Sequence, residues 1–119
     1  MKRIYGKNAF PKAQRLLKPG EFARVRKAGK RFYTKNFTLH VLPNGLGATR
    51  LGISASVRVG NAVKRNRIKR LIRESFRLNR ESISPGNPVD ILISVKKGVE
   101  AEGFREVELE LLKILKTSL

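Results

Sequence analysis

The succession of hydrophobic periods predicts an α/β (α+β) two-layer sandwich, with three helices on a small mixed sheet of about four strands. Three observations carry that expectation. Short runs alternate apolar and polar residues with the period of a strand. A long basic segment between two of them keeps a helical apolar seam, and an amphipathic helix closes the chain.

Taken in order, Pro19-Gly20-Glu21 starts a short helix that runs through Ala28, with Phe22 and Val25 on one face and Gly29 as its stop. Phe37, Leu39 and Val41 then alternate with Thr38 and His40, the pattern of a strand with one buried face. Pro43, Asn44, Gly45 and Gly47 make the turn that follows. The next strand sets Leu51, Ile53, Ala55 and Val57 against Gly52, Ser54, Ser56 and Arg58. Ser84 to Pro88 reads as a loop, after which Val89, Ile91, Ile93 and Val95 alternate with Asp90, Leu92, Ser94 and Lys96. The last helix carries Phe104, Val107, Leu111, Ile114 and Leu115 as its core face. Residues 1–14 read as an irregular basic arm broken at Pro11, and the 119 residues as one domain.

The segment from Gly60 to Arg80 holds eight Lys or Arg residues and one acid, Glu74. At about 100° per residue, Ile68, Leu71, Ile72, Ser75, Phe76 and Leu78 share one arc, while Asn66, Lys69, Arg70, Arg73, Arg77 and Arg80 lie opposite. This predicts a helix docked by one side that holds a row of cations on the other. Arg presents a rigid fork of donors suited to phosphate oxygens, so the row points to a phosphodiester backbone. Asn61 is the expected N-cap. Lys64 and Arg65 then stand near the positive end of the helix dipole, a placement that costs about 0.3–1 kcal/mol each. An anion bound at that helix end would offset the penalty.

Composition narrows the partner. The net charge of +18 and pI near 11.4 exceed what solubility needs and predict a polyanionic ligand. Five of the nine acids fall between Glu100 and Glu110, so the remainder of the chain is more cationic still. The narrow apolar face of the basic helix belongs to core packing and argues against a membrane surface. No cysteine is present, which excludes disulfides and thiolate metal sites. With no apolar signal segment in MKRIYGKNAFPKAQRL, the protein is expected to be cytoplasmic, and the Asn36-Phe37-Thr38 sequon fortuitous.

Self-sufficient catalysis is not expected. His40 is the sole histidine and Asp90 the sole aspartate, the latter in a strand and expected to be tied to a neighbouring cation. Glu106 and Glu110 read as a solvated helix surface. There is no phosphate-binding glycine loop with its lysine. The polar strand face of Thr38, His40, Ser54, Ser56, Arg58, Ser94 and Lys96, beside Phe22, instead suggests a groove for single-stranded nucleic acid.

Gly60 to Glu74, GNAVKRNRIKRLIRE, closely resembles the "RNR" segment of the bacterial ribonuclease P protein component. The similarity extends to Arg15-Leu16, Glu21-Phe22, Val25 and Gly29, to Arg50-Leu51-Gly52-Ile53-Ser54, and to Asp90-Ile91-Leu92-Ile93. It covers nearly the whole domain, from Phe10 to Leu115. The resemblance implies a protein subunit bound to the catalytic ribonuclease P RNA, the two together removing the 5′ leader of precursor tRNA. It implies that Mg²⁺ is held mainly by the RNA subunit, with none bound by the protein alone; on the residues themselves, neither DNA nor a membrane is expected as a partner. By position it assigns contact with the RNA subunit to Lys64, Arg65, Asn66, Arg67, Lys69, Arg70 and Arg73. It assigns a leader-binding cleft to Phe22, Arg26, Phe37, His40, Ser54 and Arg58. Arg26 and His40 stand where the family often has aromatics, and either can still stack on a base. A left-handed βαβ crossover through the basic helix is implied too, against a general rule that favours right-handed connections in about 98% of cases. The alternative on charge and fold class is a structural RNA-binding protein such as a ribosomal protein. A DNA-binding regulator lacks its helix-turn-helix pair.

Overall fold

Four strands form among the described residues: β1 (Lys30–Tyr33), β2 (Phe37–Pro43), β3 (Arg50–Ser54) and β4 (Val89–Val95). Helices α1 (Pro19–Ala28), α2 (Ala62–Asn79) and α3 (Phe104–Ser118) complete the fold. The computed structural model describes residues 15–16, 18–79, 87–100 and 103–118. The expected basic arm over 1–14, Arg80 and most of the loop from Ser84 lie outside the described residues.

The sheet runs β1-β2-β4-β3, antiparallel at the first two pairings and parallel between β4 and β3. A parallel neighbour cannot be reached by a hairpin, so the chain crosses over from β3 to β4 through α2. One sheet face buries Phe37, Leu39, Val41, Leu51, Ile91 and Ile93. Against them pack Ile68, Ile72 and Phe76 of α2 and Val107, Leu111 and Leu115 of α3. These are the apolar faces that the two helical periodicities define. On the opposite face α1 seats Val25 and Phe22 on Leu92, with Leu16 and Leu42 beside them. The N-cap of α2 is Asn61, whose Oδ1 accepts from the Lys64 N–H at 2.9 Å.

The structure departs from the periodic expectations in four places. β3 ends at Ser54, and Val57–Val59 forms a 3-10 turn in which the Ser56 hydroxyl accepts from the Arg58 N–H at 3.3 Å. The chain must leave the sheet there to begin its crossover, so Val57 is exposed and Val59 takes the buried place. Leu78 is exposed because α2 has drifted past the core by its last turn. Asn79 faces α3 instead, donating to the Ser75 carbonyl at 2.8 Å and to Glu108 at 2.9 Å. Arg77, expected among the outward cations, is paired with Glu74 at 2.8 Å and largely buried.

Glu110 is the fourth departure, since it is not a solvated surface residue. Its carboxylate accepts from the Asn36 backbone N–H at 2.7 Å, from Asn36 Nδ2 at 2.8 Å and from the Thr34 hydroxyl. It thereby clasps the β1–β2 turn to α3, while Asn36 Oδ1 accepts from the Glu100 N–H at 2.9 Å. Asn36 is buried in this clasp.

Candidate nucleic-acid interface

Two surfaces carry the residues singled out from the sequence. The first is the outer side of α2. Burial of Ile68, Ile72 and Phe76 fixes the roll of this helix, and with it the direction of every cation. Lys64, Asn66, Arg67, Arg70 and Arg73 are exposed, and Arg65 and Lys69 are half-buried. Arg65 Nε donates to the Gly60 carbonyl at 3.2 Å, which ties the guanidinium to the first turn. The Arg73 guanidinium is held below its ordinary pKa, first by partial burial and then by the charge of Arg15. Two cations that repel one another at a surface are relieved by an intervening anion. The seven residues assigned to this surface are thus on one helix, with its middle turns facing outward and its first turn capped.

The second surface is the polar side of the sheet beside α1. Cross-strand register lines up Tyr33, Thr38, Ser94 and Ser54 in one row and Arg31, His40, Leu92 and Gly52 in the next. α1 covers the Leu92 row with Phe22 and Val25. Gly52 makes that approach possible. A Cβ there would lie 2.9 Å from Leu16 Cβ and 3.1 Å from Phe22 Cζ. Gly52→Ala should therefore overpack the contact, costing about 1–3 kcal/mol and lowering the melting temperature. An unchanged melting temperature would show that α1 is not held this closely.

α1 is also anchored by charge. The Asp90 carboxylate, 0% exposed on β4, accepts from Arg50 Nε at 2.8 Å, Arg50 Nη2 at 2.7 Å, Arg24 Nη2 at 2.8 Å and Asn44 Nδ2 at 2.9 Å. Arg50 Nη1 reaches Glu21 on α1 at 2.6 Å. Hydrogen bonding to Asp90 raises the Arg50 pKa above its already high value despite partial burial. The expected tie between Asp90 and a cation is a network of two arginines.

The cleft residues do not all converge. Phe22 and Ser54 border the polar face, and Arg26 is exposed on α1. Phe37 is a correction: in β2 it points to the opposite side, fully buried with Leu39 and Val41 against the helices. Alternation along the strand requires this, because Phe37 and His40 are an odd number of residues apart. His40 is on the α1 side but only 5% exposed, and its Nδ1 is buried without a partner. Burial first, and then the charges of Arg31 and Arg26, holds the imidazole below its ordinary pKa and keeps it neutral. It is no open stacking platform. Arg58 is exposed in the 3-10 turn, which packs on α2, so it sits at the junction of the two surfaces.

The aromatic that does stand open is Tyr33, 60% exposed. Lys96 Nζ lies 5.6 Å from its ring centroid, and Arg31 Nη1 donates to its hydroxyl at 3.0 Å. A cation-flanked ring at the end of a polar row suits a nucleobase. No periodicity marks it in the sequence, because KRFY buries too little to display an alternation; an aromatic between cations is the local signal available. Among the described residues no three His, Cys, Asp or Glu side chains gather as a metal-binding set.

Comparison with known proteins identifies the family. The sequence model of the family "Ribonuclease P" matches residues 10–118. The ribonuclease P protein component of Desulforapulum autotrophicum is 47% identical over 111 residues, covering 93% of this chain and 93% of that protein. That of Syntrophus aciditrophicus is 41% identical over 105 residues, covering 88% and 87%. The solved RNase P protein of Staphylococcus aureus matches with a TM-score of 0.79 at 32% identity, over 90% of this chain and 96% of that one. The protein from Thermotoga maritima gives 0.79 at 32% identity, over 88% and 97%. In sequence and in fold, the chain belongs to the ribonuclease P protein component family.

Proposed function

We propose that the protein binds the catalytic RNA of ribonuclease P through the outer face of α2 and holds the 5′ leader of precursor tRNA along the polar sheet face beside α1. The observation that carries this reading is the row of outward cations on a helix whose other side is locked in the core. Glu74, the acid on α2, is already paired with Arg77, so it does not neutralise Arg70 or Arg73. Phosphates suit such a row of cations.

The chemistry belongs to the RNA. Asp90, Glu21, Glu74, Glu108 and Glu110 are engaged with Arg or Asn side chains, which leaves them in structural service. His40 is neutral and enclosed. Mg²⁺ carried mainly by the RNA would supply metal-assisted phosphodiester hydrolysis. The protein contributes charge neutralisation and position: α2 screens RNA phosphates, and the Tyr33 row with Phe22 orients the leader for cutting.

Purified protein alone should leave precursor tRNA intact. Adding ribonuclease P RNA at low Mg²⁺ should restore cleavage at the mature 5′ end. Cleavage by the RNA-free protein, at a rate that follows its concentration through purification, would overturn this reading.

A further inference from the structure

Val63, the second residue of α2, is 77% exposed. It lies on the outward line of the helix with Asn66, Arg67 and Arg70, at the spacing i, i+3, i+4 and i+7 that stacks side chains on one face. All of these are exposed. Val57, 76% exposed, opens the 3-10 turn that packs against α2. Neither valine serves the fold. Val is a poorer helix former than Ala, and most of its surface here is exposed. Being branched at Cβ, it presents a preset, rigid apolar face that loses little freedom on contact.

The surroundings say what covers it. Arg58 and Lys64 flank the valines and Arg70 continues the line, so the partner is polyanionic. A continuous RNA duplex offers phosphates and 2′-hydroxyls, which suit Arg and Lys but give an aliphatic side chain nothing apolar. An unpaired nucleotide offers the face of its base.

We propose that Val63, supported by Val57, packs against the face of an unpaired nucleobase of the RNA subunit. The RNA docked on the first turns of α2 is then a loop or bulge and not an uninterrupted duplex. This rests on the reading of α2 as the surface that meets the RNA subunit.

Apolar contact releases no counterions, which separates it from the charges around it. In the complete protein–RNA complex, Val63→Ala should weaken affinity for the RNA subunit about 3- to 15-fold, the range expected for two lost methyl contacts. The slope of affinity against salt should stay unchanged, and precursor and mature tRNA should be affected equally. Methylation of unpaired bases by dimethyl sulfate should reveal one base that the wild-type protein protects and Val63→Ala leaves reactive. Far-UV circular dichroism and the melting temperature should match wild type, because the site is exposed. Unchanged affinity and protection would overturn the proposal. A loss confined to precursor tRNA would do so too, placing the leader on the valines. Arg70→Ala is the control for the underlying reading. If it leaves the salt slope unaltered, α2 is off the RNA; if it flattens the slope while Val63→Ala does nothing, only the apolar contact is refuted.

Discussion

Replacing Lys64, Arg70 and Arg73 together with Ala should flatten the dependence of RNA-subunit binding on salt by about 2.1–2.7 units of slope. Each phosphate neutralised contributes about 0.7 unit on an unpaired strand and about 0.9 on a duplex, so at 0.1 M salt each contact accounts for about 5- to 8-fold in affinity and the three for about 100- to 500-fold. All three side chains are exposed on α2 and none belongs to its buried seam of Ile68, Ile72 and Phe76, so the variant should fold normally. The triple variant should also be a poorer partner in cleavage at low salt, in proportion to the binding it loses. A slope equal to wild type, measured across several salt concentrations, would place these residues off the interface.

Asp90→Ala should produce the largest loss of stability. The carboxylate takes four N–H bonds in a site closed to water, and the Arg50 side chain that faces it is only 15% exposed. Removing it strands Arg50 and Asn44 among half-desolvated groups. Breaking such a buried pair costs about 3–5 kcal/mol, which should lower the melting temperature by roughly 10–20 °C. α1 should suffer first, since Arg24 and Glu21 join it to this network. Calorimetry on the wild type and the variant decides the matter, and equal melting temperatures would show that the network only accompanies the fold.

The parts of the protein legible in its sequence are those set by local periods. The seam of Ile68, Ile72 and Phe76 follows from 3.6-residue repetition, the Asn61 cap from side-chain chemistry, and the core row of Ile91 and Ile93 from alternation. Phe37 is instructive because two lines of reasoning conflicted over it. Family resemblance carried it to the cleft, while strand alternation sent it to the core, and the structure follows alternation. What remained illegible depends on contacts between distant segments. Nothing local to Glu110 reveals that Thr34 and Asn36 will come to it from 74 or more residues away. Arg77 loses its free charge to Glu74 and to its roll toward the protein, and His40 loses its exposure to the layer above it. Tyr33 was hidden for the opposite reason, being too exposed to register as part of a buried pattern.

The absence of cysteine in this chain makes the central assignment directly testable, because a single introduced cysteine can carry a photo-crosslinker without competition. One probe at Asn66→Cys, on the outer face of α2, and one at Tyr33→Cys, on the polar sheet face, should be compared in the complex of protein, RNA subunit and precursor tRNA. The Asn66 probe should attach to the RNA subunit and the Tyr33 probe to the precursor leader. Attachment of the Asn66 probe to the leader, or of the Tyr33 probe to the RNA subunit alone, would contradict the division of labour between the two surfaces.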